Sequence, residues 1–138
     1  MKTPNAMVRW TLISGCVLAV AATAGCGTAG DRDQARTAAQ TLYAAVQRHD
    51  GDTACAQMSP SLRAQLVKDE QARCAKAVLD LDLRGRTVAA VRVYANTAQV
   101  RLERGDTVFL GDTNEGWRVE ALGCRPQGEG PYDCEAES

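Results

Sequence analysis

Between residues 87 and 124 the chain alternates apolar and polar positions with period two, interrupted by short turns. Val88, Ala90, Arg92 and Tyr94 alternate with Thr87, Ala89, Val91 and Val93. After Ala95-Asn96, the residues Ala98, Val100 and Leu102 alternate with Gln99, Arg101 and Glu103. Gly105-Asp106 turns the chain into residues 107–110, and residues 112–116 turn it again into 117–122. Period two puts one face in an apolar environment and the other in water, and turns this short allow only antiparallel neighbours. The pattern predicts a four-strand meander whose apolar face needs a cover.

The cover must come from the residues before it. Ala35, Ala38, Leu42, Ala45 or Val46, and His49 recur at helical spacing, predicting an amphipathic helix over residues 33–50. Asp31 and Asp33 stand at its positive end and Gly51 is the expected stop. Asp52 is the expected cap of a short turn over residues 53–58. Ser59-Pro60 reads as N-cap and first position of a second helix, with Leu62 and Leu66 on its buried stripe. A third helix turns Cys74, Ala77 and Val78 inward, and Leu79, Leu81 and Leu83 then alternate with Asp80 and Asp82 as extended chain. Residues 125–131 are too rich in Pro and Gly for regular structure, and the last four residues, 135–138, are expected to fray. Helices followed by a meander give an α+β domain with the helices on one face of a curved antiparallel sheet.

The first 25 residues have a different character. Lys2 and Arg9 precede an uncharged apolar run over residues 10–24. A basic start, a short apolar run and small residues read as a secretory signal, and a membrane span needs roughly 20 apolar residues. Ala24-Gly25-Cys26 then resembles a bacterial lipobox, with Thr23 where Leu or Val is more usual. That resemblance implies a signal peptide over residues 1–25, a diacylglyceryl-modified Cys26 and a tether over residues 26–32. Plain cleavage after Ala24 is the alternative, which would release a secreted protein. Two acyl chains anchor stably without a spanning helix, so the lipidated form sits on the extracytoplasmic face of the cell membrane.

Charge removes some partners. Without Lys2 and Arg9 the chain keeps 14 basic and 17 acidic side chains, with no basic run. Nucleic acid is therefore not expected as a partner, nor is a polybasic membrane-binding face. Four cysteines remain beyond Cys26: Cys55, Cys74, Cys124 and Cys134. An even set in an exported domain reads as two disulfides with three connectivities, of which the local one, Cys55–Cys74 and Cys124–Cys134, is favoured. The absence of a C-x-x-C pair speaks against a metal site.

The long first helix ending in His49-Asp50-Gly51-Asp52, the Ser59-Pro60 start, Gly116-Trp117-Arg118-Val119 on the last long strand and the tail Gly130-Pro131-Tyr132-Asp133-Cys134 together resemble the NTF2-like (cystatin-like cone) superfamily. More narrowly they resemble small actinobacterial lipoproteins of unassigned function. Only three lysines against thirteen arginines resembles the same source. The resemblance covers residues 33–134 as one domain and implies a cone whose open end can hold a hydrophobic ligand; membership alone confers no activity.

Candidate chemistry is sparse. His49 is the only histidine, at the end of the first helix, where the dipole favours it. Tyr43 and Tyr94 could donate hydroxyl hydrogen bonds, and with Phe109 and Trp117 they could line a small apolar cavity. A domain this small needs most such side chains to stay folded, which favours a filled core. Asp80-x-Asp82-x-Arg84-Gly85 begins like a calcium loop, but Arg84 takes a ligand position and Val91 replaces the closing Glu. Arg104-Gly105-Asp106 reads as a hairpin turn. No catalytic residue, metal site or cofactor is assigned. The expectation is a membrane-tethered module that binds a small hydrophobic ligand or a protein. A small isomerase- or epoxide-hydrolase-type enzyme is the alternative, marked by an aspartate pointing into a cavity beside Tyr43 or Tyr94. A subunit of an envelope complex is a third reading, marked by an apolar patch on the outer face of the sheet.

Overall fold

The computed structural model describes residues 29–138. The expected signal peptide, Cys26 and the first part of the expected tether lie outside the described residues. The order is α1 (Ala29–Gln47), α2 (Gly51–Ala56), α3 (Pro60–Glu70), α4 (Cys74–Asp80), β1 (Val88–Tyr94), β2 (Thr97–Leu102), β3 (Thr107–Thr113), β4 (Gly116–Cys124) and β5 (Ala136–Glu137). The strands form one antiparallel sheet in sequential order, so the domain is α+β with its helices before its sheet.

The helical part follows the predicted stripe. Ala35, Ala38, Ala39, Leu42, Tyr43 and Ala45 of α1 are buried with Ala98, Val100, Leu102, Leu110, Trp117, Val119 and Leu122 of the sheet. Small residues on the α1 stripe let the helix approach the sheet closely, and Leu42 and Tyr43 fill the remaining depth. Ser59 caps α3, its Oγ accepting from the Leu62 amide at 3.2 Å, and Leu62 and Leu66 are buried as expected. Disulfides join Cys55 to Cys74 and Cys124 to Cys134, the expected local connectivity. The first clamps α2 to α4, and the second ties the tail to the end of β4. Closing loops of this length contributes about 3 kcal/mol each in the chain-entropy model.

Five local expectations are corrected. Helix α1 starts at Ala29 rather than residue 33, so residues 29–32 of the expected tether are helical. It stops at His49, not Gly51. His49 takes the left-handed φ of 56°; its amide donates to the Val46 carbonyl at 3.0 Å and the Asp50 amide to that of Ala45 at 2.9 Å. This pair of bonds is a Schellman stop. Asp50, not Asp52, then caps α2, its Oδ1 accepting from the Thr53 amide at 3.1 Å. Gly51 is a glycine for a different reason: a Cβ there would run into the backbone carbonyl of Ala75 in α4. Residues 135–138 do not fray, because β5 pairs Ala136 with Leu122 and Glu137 with Ala121.

The fifth correction concerns β1. A register shift between Val88 and Ala90 inserts one extra residue, and a bulge reverses the side-chain phase beyond it. Val88 therefore shares the helix side with Val91 and Val93, which pack against the core. Ala90, Arg92 and Tyr94 turn to the outer face. On the far side, residues 57–59 cover the edge of β4: Ser59 donates to the Val119 carbonyl at 2.8 Å and the Val119 amide to Gln57 at 2.9 Å. With β5 beyond them, most of this edge is occupied and not free to pair with another chain.

His49 and Gly51 separate the two glycine roles experimentally. Gly51→Ala is expected to destabilise by about 3 kcal/mol through overpacking against Ala75, whereas His49→Gly is expected to stabilise by about 0.5–1 kcal/mol by relieving a left-handed residue. Urea unfolding midpoints of the two variants check both signs.

Candidate functional site

Two places concentrate polar groups: a buried cluster where α1, the connector over residues 81–87 and the ends of the strands meet, and the outer face of the sheet. The first centres on Asp106, whose side chain is 1% exposed and is the only buried carboxylate among the described residues. Its Oδ2 accepts from the Tyr43 hydroxyl at 3.1 Å and from the Arg84 amide at 2.6 Å. Its Oδ1 faces Arg125 Nε at 3.5 Å, close enough for charge attraction, although neither atom makes a hydrogen bond. Tyr43, 2% exposed, also accepts from the Gly123 amide at 3.1 Å.

Gly105 makes the approach of the connector possible. The left-handed residue of this turn is Arg104, at φ 50°. Gly105 instead lacks the Cβ that would strike the backbone of Arg84 and Gly85. The Asp106 amide donates to the Arg84 carbonyl at 2.9 Å while its carboxylate takes the Arg84 amide, so the two segments are bonded in both directions. Arg125 extends the cluster to the surface. It donates from one terminal nitrogen to the Asp82 carbonyl at 2.7 Å and from the other to Glu135 at 3.0 Å. Its backbone exchanges two hydrogen bonds with Asp133. Burial, and then the adjacent Asp106 charge, push the Tyr43 hydroxyl far above its ordinary value of 10.0.

The outer face carries the tail. Tyr132 lies edge-on to Phe109, with ring centroids 5.1 Å apart, and its hydroxyl accepts from Gln99 Nε2 at 3.2 Å. It stands as a ridge between two hollows. One, of about 100 Å³, is lined by Ala90, Arg92, Gln99, Arg101 and Tyr132. The other, about 440 Å³, has Phe109, Glu120, Ala121 and Glu137 among its walls. Arginines occupy one side of the ridge and carboxylates the other.

The four aromatic residues named as the possible lining of one cavity are dispersed. Tyr43 and Trp117 are buried in the core beneath the sheet, Phe109 lies half-buried on the outer face, and Tyr94 is 58% exposed. Between helices and sheet the buried side chains form one packed cluster, in line with the filled core that the sequence favours. An aspartate does stand beside Tyr43, the marker set for the enzyme reading, but it is sealed against Tyr43, Arg84 and Arg125, and neither residue lines the hollows described above. His49 is the helix stop. Among the described residues no group of three or more metal-ligating side chains converges, and no helix is long and apolar enough to cross a membrane.

Sequence reasoning missed Asp106, Arg125 and Tyr132. Gly105-Asp106 has the composition of any hairpin turn, and Arg125 opens a Pro/Gly-rich tail. The available signal was the tail motif ending in Cys134, since a disulfide of short span obliges residues 125–133 to lie against the strand ends. Comparison with protein-family models, with curated proteins and with solved structures finds no match.

The cluster makes stability sensitive to alkali. The raised Tyr43 value means the unfolded chain ionises this tyrosine from about pH 10 upward while the folded chain does not. The Tyr43 contribution is thus complete below pH 10 and is lost above it, by up to about 1.4 kcal/mol per pH unit. Tyr43→Phe is expected to cost about 2 kcal/mol at neutral pH and to flatten this alkaline slope, as read by denaturation between pH 8 and 11. Asp106→Asn is expected to cost about 2–3 kcal/mol, because it weakens the charge-assisted bonds from the Tyr43 hydroxyl and the Arg84 amide and puts a buried amide NH2 where an acceptor is needed.

Proposed function

We propose that this chain is a membrane-tethered extracytoplasmic lipoprotein whose NTF2-like domain binds a ligand or a protein partner and catalyses no reaction. The observation that carries this reading is where the polar groups are spent. Tyr43 and Asp106, the acid–base pair inside the fold, hydrogen-bond one another and the backbone under nearly complete burial. General acid–base chemistry needs such groups within reach of a substrate, and here they face packed chain. Two accessible hollows lie on the outer face, among arginines, carboxylates and two aromatic rings, and neither Tyr43 nor Asp106 lines them or the hollows at the β2–β3 turn and on α1. The α+β arrangement, helices first and an antiparallel sheet second, supports the superfamily reading. The outer face mixes polar groups with Phe109 and Tyr132 and offers no broad apolar patch, which favours a small ligand over an obligate subunit contact.

Two measurements test this. Expressed whole in a bacterium with lipoprotein processing, the protein is expected to yield an N-terminal peptide beginning at a diacylglyceryl-modified Cys26. Cys26→Ser is expected to move the protein from the membrane to the soluble fraction; an unmodified N-terminus at Gly25 would instead assign plain secretion. A thermal-shift screen of the oxidised protein against lipids, isoprenoids and small anions is expected to raise the midpoint by roughly 10 °C at a ligand concentration of 100 Kd. Turnover of an epoxide or ketosteroid that disappears in folded Asp106→Asn would overturn the non-catalytic reading.

A further inference from the structure

We infer that the small hollow beside Tyr132 is a binding site for an oxyanion, a carboxylate or phosphate group carried by a small ligand. This rests on the binding-module reading above and assigns it a ligand chemistry. Arg101 stands opposite Ala90 across the β1–β2 pair, and Arg92 stands opposite Gln99. The two arginines are therefore diagonal neighbours on one face, where like charges oppose each other. The bulge between Val88 and Ala90 creates this arrangement, because it turns Ala90 and Arg92 outward to meet Arg101.

Neither arginine has a carboxylate partner among the described residues, whereas Arg84, Arg118 and Arg125 each do. No carboxylate lines the hollow. Ala90, the small residue of the lining, adds no polar group to it. Gln99 donates to the Tyr132 oxygen at 3.2 Å, so the Tyr132 hydroxyl hydrogen is left to point elsewhere, and this hydroxyl belongs to a residue of the hollow's own wall. The hollow thus offers two guanidinium forks and a hydroxyl donor, the set that recognises a planar carboxylate or a phosphate. Its volume of about 100 Å³ suits one such group rather than a large ligand. Position is fixed covalently: the Cys124–Cys134 disulfide holds the tail two residues beyond Tyr132, and the Phe109 ring braces it from the other side.

The test is an NMR titration of the purified, oxidised protein with sodium acetate and with sodium phosphate, against sodium chloride at equal ionic strength. Saturable shifts at the Ala90, Gln99 and Arg101 amides and the Arg92 and Arg101 side-chain Nε–H groups are expected with acetate, phosphate or both. The stronger of the two identifies the group. Arg92→Gln or Arg101→Gln is expected to weaken binding at least fivefold, the double variant to abolish it, and Tyr132→Phe to weaken it about threefold. Arg36→Gln, on exposed α1 surface, is expected to leave it unchanged. Because Arg92 and Arg101 are exposed, their variants retain the fold, which the same spectra report. Shifts matched by chloride, or persisting in Arg92→Gln/Arg101→Gln, would overturn the site. So would flat acetate and phosphate titrations alongside a thermal-shift hit from another ligand, an outcome that leaves the binding-module reading standing.

Discussion

Asp106 carries a carboxylate into a corner where water cannot follow, and the fold around that corner is arranged to satisfy it. Taking a charge out of water costs several kcal/mol unless partners replace the lost hydration. Here the Tyr43 hydroxyl, the Arg84 amide and the Arg125 guanidinium do so, and each comes from a different part of the chain. Helix α1, the connector leading to β1, the β2–β3 turn and the end of β4 are thereby fixed to one carboxylate. Loss of any one partner exposes the others to the full desolvation cost, so the corner is held as a unit.

Helix and sheet would pack without this cluster, since the apolar stripe of α1 and the inner face of the strands suffice for that. The cluster settles how the pieces outside the core are placed. Gly105 lets the connector lie against the turn, and Arg125 draws in Asp82, Asp133 and Glu135. The tail, with little apolar material of its own, is ordered by Arg125, the Cys124–Cys134 disulfide and β5. Order in the tail then sets Tyr132 on Phe109 and divides the outer face into a basic and an acidic side.

That division is where the proposed anion site lies. The domain's interior is packed, and the polar groups inside it are engaged with one another. Its outer face is reached by solvent, carries unpaired arginines on one side, and is held in place by covalent and aromatic contacts. A rigid face of this kind presents groups to a ligand with little loss of freedom on binding.

Period-two alternation over residues 87–124 determined the antiparallel meander, because solvent on one side and core on the other leave an imprint on every second residue. Helical spacing of alanines and leucines determined α1, and Ser59-Pro60 determined the start of α3, because caps are local chemistry. An even set of four cysteines determined that there are two disulfides, and the tertiary structure decided which of three connectivities they take. Tertiary structure alone decided the rest. Gly51 reads as a helix stop until Ala75 is seen against it, and His49 reads as a favoured helix end until its backbone is seen to be left-handed. The β1 bulge leaves no mark in the alternation of Val88 to Tyr94, yet it decides which arginines share a face. Asp106 looks like any turn aspartate, because its burial depends on Tyr43, Arg84 and Arg125, residues up to 63 positions away in the chain. Local pattern records what each residue's own backbone and solvent require; it holds no record of which distant segments arrive to share a charge.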